Sequence, residues 1–142
     1  MNWQRGSTRL EFALAWPVAL LLVLGCVQLG LYSVEAYSAR AAAMVGARAG
    51  AARGGTEAGA TAATLAALNP SLVGIRAKPF CRNQSGPRAP VPPPLWVCTV
   101  YSAHTVTVEV GGRVPALVPL LDFQPWLPVA AHAVLATEVF NP

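Results

Sequence analysis

Charge is scarce in this sequence. Its 142 residues carry ten basic and six acidic side chains, so charged residues make up 11%, against about 25% in an ordinary soluble domain. With 54% hydrophobic residues, a disordered acidic or basic tail is excluded, because such tails lack the apolar surface that drives folding. The basic residues are scattered, with no Lys/Arg run and no interleaved aromatics. The net charge of +4 therefore marks solvated side chains, and no nucleic-acid partner is expected. Histidine and aspartate are also rare: His104 and His132 each fall within a strand pattern, and Asp122 falls in a loop. They give no support for a Ser-His-acid triad. Two cysteines and two distant histidines lack zinc-ligand spacing, and no phosphate loop, dinucleotide fingerprint or paired-carboxylate motif is present. No enzyme, metal or cofactor is expected.

What the chain does have is concentrated. Between Glu11 and Glu35 no residue is charged at neutral pH. Phe12 to Val34 would reach about 35 Å as a helix, enough to cross a hydrocarbon core of about 30 Å. Gln28 is its one strongly polar residue, Pro17 predicts a kink, and Gly25 and Gly30 are ordinary in a membrane helix. A cleaved signal peptide has a shorter apolar core and a small-residue exit; a buried helix shows a polar face. A spanning helix is the better reading. Arg5 and Arg9 before the span nearly balance Arg40, Arg48 and Arg53 after it, so charge alone does not orient the chain.

The junction before the span reads Gly6-Ser7-Thr8-Arg9-Leu10-Glu11-Phe12. A carboxylate at the membrane edge is costly and asks for a reason. Gly, four residues, then Glu-Phe entering an apolar helix resembles the type IV prepilin processing site. That resemblance implies cleavage after Gly6 by a membrane prepilin peptidase, release of a leader over residues 1–6, and Ser7 as the new amino terminus. It also implies that Glu11 and Phe12 serve peptidase recognition and assembly, with Glu11 pairing to the amine of a neighbouring subunit. Such an ion pair offsets much of the cost of either charge in lipid.

The wider stretch, Gly6 to Pro17, then Gly25-Cys26-Val27-Gln28-Leu29-Gly30 and Ala47 to Arg53, resembles the TadE-like pseudopilins of tight adherence (Flp-type) pilus assembly. Trp16 stands where members usually carry Leu, and Gln28 where they often carry an acid. The resemblance implies a single-pass protein of the bacterial inner membrane, with its amino terminus cytoplasmic and its C-terminal part outside. Implied partners are the prepilin peptidase, other pilins or pseudopilins, and the assembly platform. The alternative is an unprocessed single-span membrane protein with a small extracytoplasmic interaction domain.

Beyond the span, helix formers continue without a breaker to Arg53, rich in alanine, with Gly46-x-x-x-Gly50 among them. This face is expected to pack on the chain's own sheet or on neighbours in a filament; a dimer motif there is the weaker reading. Gly54-Gly55 should break the rod, Thr56 should cap a second helix with Glu57 at its positive end, and that helix should stop near Asn69-Pro70. Period two follows: Val73, Ile75 and Ala77 alternate with Arg76 and Lys78 as a short strand. Trp96 to Val110 reads as one long strand or a hairpin arm turned by Gly111-Gly112, and Val129 to Phe140 as the last strand. Leu117 to Leu127 is apolar and broken by Pro119 and Pro125; it is read as a lid over the sheet rather than a partner or bilayer contact.

Cys26 lies in the span. Cys81 and Cys98 bracket a proline-rich loop over residues 79–94 and are disulfide candidates if the domain lies outside the cytoplasm. The expected fold class is α+β: a long N-terminal transmembrane helix continuing into an exposed helix (residues 7–53, span about 12–34), then an extracytoplasmic second short helix and small antiparallel β-sheet domain over residues 54–142.

Overall fold

The computed structural model describes residues 7–69, 75–81, 92–115 and 126–137, with side chains from Glu11 onward in the first helix. The expected leader, residues 117–125 of the expected lid and the end of the last strand beyond Thr137 lie outside the described residues; Trp126 and Leu127, also expected in the lid, are instead the first residues of the last strand.

Helix α1 runs without interruption over Ser7–Ala51, with Pro17 inside it. Its first half exposes Phe12, Leu14, Trp16, Leu20 to Val23, Val27 and Leu29, and it is long and apolar enough to cross a membrane. From Glu35 onward one stripe turns inward. Glu35, Ala39, Ala42, Ala43, Gly46, Ala47 and Gly50 are buried, at the three- and four-residue spacing of one helix face.

The helix ends where glycine allows it: Gly54 has φ 77°, a left-handed conformation that side chains disfavour. Helix α2, Glu57–Leu68, then starts at Thr56, whose hydroxyl accepts from the Gly59 N–H at 3.1 Å. Glu57 lies in its first turn, and the Asn69 N–H closes the other end on the Leu65 carbonyl.

Four strands follow in spatial order β1-β2-β3-β4: Lys78–Pro79, Leu95–Tyr101, Thr105–Pro115 and Trp126–Ala136. The three long strands are antiparallel, as expected; β1 is parallel to β2, with Lys78 beside Trp96. Three expectations are corrected. The early strand is the two residues Lys78–Pro79, and Ile75 to Ala77 are not in the sheet. The stretch after Trp96 is a hairpin that turns at Ser102-Ala103-His104, closed by Ser102 N–H donating to the Thr105 carbonyl at 2.8 Å. His104 is thus in the turn and not in a strand. Gly111-Gly112 continue β3, paired to both neighbours. A Cβ on Gly111 would run into the Trp96 indole, and one on Gly112 would meet Leu95; glycine here makes room inside a sheet rather than a turn.

The core lies between the sheet and the two helices. Val97, Val106, Val108, Val110, Val114, Val129, Ala131 and Ala133 face Ala39 to Ala47 and Leu68. Helix α2 lies over β2, and α1 over β3 and β4.

Candidate functional site

The residues singled out from the sequence belong to three places: the head of α1, its seat on the sheet and the Cys81–Cys98 pair at the sheet's far edge. At the head, Gly6 lies outside the described residues, and Ser7 opens the helix. Glu11 and Phe12 are one turn further, on exposed helix surface. The Phe12 ring, 70% exposed, stacks on Trp16 at 6.2 Å and 25°. Aromatic pairs of this kind suit the boundary between headgroups and acyl chains. With Glu11 before it and apolar side chains exposed as far as Val34, this surface is stable in lipid and not in water.

At the seat, backbone closeness is obtained through small residues. Gly46 lies against Ala60 and Thr64 of α2, where an added Cβ would overlap the Thr64 hydroxyl. Gly50 lies against the sheet: the Tyr101 hydroxyl donates to its carbonyl at 3.0 Å, and Val106 and Ala60 close around it. The Gly46-x-x-x-Gly50 pair is therefore occupied within the chain, which agrees with a stripe that packs on its own sheet. Burial raises the Tyr101 phenol above its usual value, and the negative charge of Glu57 adds to this. Lower down, the Tyr32 hydroxyl donates to the Pro128 carbonyl at 3.1 Å, tying the last turns of the apolar run to β4. Thr61 and Thr99 share a hydrogen bond of 2.9 Å that ties α2 to β2.

Glu35 was missed as a site residue. It is 7% exposed, and its Oε1 is buried with no hydrogen-bond partner among the described residues. The signal was in the helical wheel: position 35 shares the face of Ala39, Ala42 and Ala43, so the first carboxylate after the span points at the sheet.

Cys81 and Cys98 are joined by a disulfide with Cα atoms 4.7 Å apart, and Cys26 is exposed on the apolar half of α1. The bridge pins the end of β1 to the middle of β2, beside Phe80 set edge-on to Trp96 at 6.4 Å. His132 is opposite Glu109 across β3 and β4, and both are exposed. Among the described residues no three His, Cys, Asp or Glu side chains come together as metal ligands would.

Residues 6–48 match the model of a family described as TadE-like protein. The amino-terminal third is TadE-like. No curated protein and no solved structure matches the chain. The TadE-like segment opens at Gly6 and closes at Arg48. It thus takes in the apolar run and most of the small-residue stripe, and leaves α2 and the sheet outside. The likeness is to the long apolar N-terminal helix alone.

Proposed function

We propose that this chain is a minor pseudopilin of a tight adherence (Flp-type) pilus assembly or related secretion system. A prepilin peptidase removes residues 1–6 after Gly6, and the helix stays in the inner membrane with its amino terminus cytoplasmic and its sheet domain outside. Other pilins or pseudopilins and the assembly platform are its partners. The observation that carries this reading is the TadE-like match beginning at Gly6 and running into an uninterrupted apolar helix.

Each residue has a role in this reading. Gly6 lets the backbone lie extended in the peptidase cleft, and Phe12 marks the start of the span. Glu11 pairs with the new amine of a neighbouring subunit, so that two charges enter lipid as one neutral pair. The disulfide supports the outer location, since such bonds persist in oxidising compartments.

The test is the amino-terminal sequence of the membrane-extracted protein, with the prepilin peptidase present and absent. A start at Ser7 that requires the peptidase is expected. A start at Met1 in both cases refutes processing and leaves a plain single-span membrane protein with an interaction domain. Gly6→Ile should keep the leader, while Glu11→Ala should be cut but fail in assembly.

A further inference from the structure

Strand β4 ends the sheet, and its outer side takes no strand among the described residues. The direction of its backbone groups follows from two bonds. The Arg113 N–H donates to the Pro94 carbonyl at 2.6 Å, on the β2 side of β3. Arg113 is paired with Pro128, so Pro128 belongs to a pair whose polar groups point away from each other. Its carbonyl does point outward, because Tyr32 donates to it. The β3–β4 register is unbroken. Ala130, His132, Val134 and Ala136 therefore also direct N–H and C=O to the open edge.

Exposed strand edges are normally blunted by charge, proline or a covering element. Here the blunting is local: Pro128 lacks an N–H, and Tyr32 occupies its carbonyl. From Ala130 to Ala136 the outward residues are Ala, His, Val and Ala, all exposed, with Val134 at 53%. This open stretch runs into a pocket of about 380 Å³ lined by Arg48, Ala51, Ala52, Arg53, Leu135 and Ala136. Among the described residues neither guanidinium has a carboxylate partner. Arg48 is about 21 Å beyond Val34 along the helix, whereas a headgroup layer adds only about 5–7 Å to the hydrocarbon core. The bilayer that holds the span is out of reach for a steep helix.

We propose that the edge of β4 from Ala130 to Ala136, together with the Arg48–Arg53 pocket, binds an extended acidic segment of a partner polypeptide as an added strand. The backbone edge supplies hydrogen bonds that do not depend on side chains, the pocket selects a carboxylate at the membrane-distal end, and Tyr32 with Pro128 stops the strand at the other. The site is independent of leader processing and rests on the edge of β4 and the end of α1 beside it.

The probe is a nine-residue acetylated and amidated peptide of alternating Val and Thr with glutamate at both ends, against a twin carrying lysine. Binding to the full chain in neutral micelles is read by fluorescence anisotropy. The glutamate peptide should bind at least about tenfold tighter at low salt, with the gap closing as salt rises. Arg48→Ala with Arg53→Ala should abolish the preference. Val134→Pro removes an outward N–H and no bond to β3, so it should keep the fold and lose both peptides; Ala130→Pro serves the same purpose if the first variant fails to fold. Equal binding of the two peptides, or unchanged binding by the proline variants, overturns the proposal. So does a dimer of the chain that Val134→Pro dissolves, which would give the edge to a second copy.

Discussion

Replacing Gly50 by alanine separates two expectations of opposite sign. On an isolated helix, Gly→Ala stabilises by about 1 kcal/mol. At Gly50 the new Cβ would lie 2.8 Å from the Tyr101 hydroxyl oxygen, 2.9 Å from Val106 Cγ1 and 3.1 Å from Ala60 Cβ. Val106 is fully buried and cannot step aside, so overpacking of about 1–3 kcal/mol is expected. The Tyr101 bond to the Gly50 carbonyl is lost or stretched in the process, for about 1 kcal/mol more. After the helix gain is subtracted, the seat is weaker by about 1–3 kcal/mol, or a melting point lower by roughly 5–15 °C for a domain of this size. The assay is thermal unfolding in micelles, followed by near-ultraviolet circular dichroism, because the aromatic signal reports the sheet domain while the span stays helical. Tyr101→Phe added to Gly50→Ala removes the nearest clashing atom and should recover part of the loss. Gly25→Ala and Gly30→Ala, with no atom within 4 Å of the added carbon, should leave the transition unchanged. A Gly50→Ala protein as stable as the parent would refute the close seating of α1 on the sheet.

Three further outcomes follow from single side chains. Glu35→Leu should raise stability by about 1–3 kcal/mol by removing an unsatisfied buried oxygen, and a loss in denaturant titration would show that the carboxylate has a partner in the fold. Cys81→Ser should lower stability by about 3 kcal/mol under oxidising conditions and match the parent in reductant; equal loss in both would assign the effect to packing. The third concerns alkaline pH. The folded state holds the Tyr101 proton more tightly than the unfolded chain, so its contribution is complete below the ordinary tyrosine value of about 10 and is lost as pH rises through the higher folded value. Tyr101→Phe should flatten that alkaline decline, and an unchanged slope in pH-dependent melting would contradict it.

The elements legible in the sequence were those with a local cause. The span declares itself by composition, the break by Gly54, and α2 by Thr56, whose cap bond is made within three residues. The strands were found but misplaced, because their limits depend on partners distant in sequence. Gly111-Gly112 looks like a turn until Trp96 is laid over it, and β1 exists because β2 and the Cys81–Cys98 bridge hold two residues beside it. The same holds for the site. Glu11 and Phe12 are read from a local motif, whereas the burial of Glu35 and the basic pocket beside β4 need the position of α1 over β3 and β4.

Helix α1 has no joint between the bilayer and the domain. Its attachment to the sheet begins at Tyr32, before the apolar run ends, and continues to Gly50. The sheet is thus keyed to the span as a bit is to its shaft. One residue inserted in the span would turn the whole sheet domain by about 100° and lift it by about 1.5 Å, while seven would bring it back to within about 20° of its heading. Whatever grips the helix inside the membrane sets the compass direction in which the open edge of β4 faces.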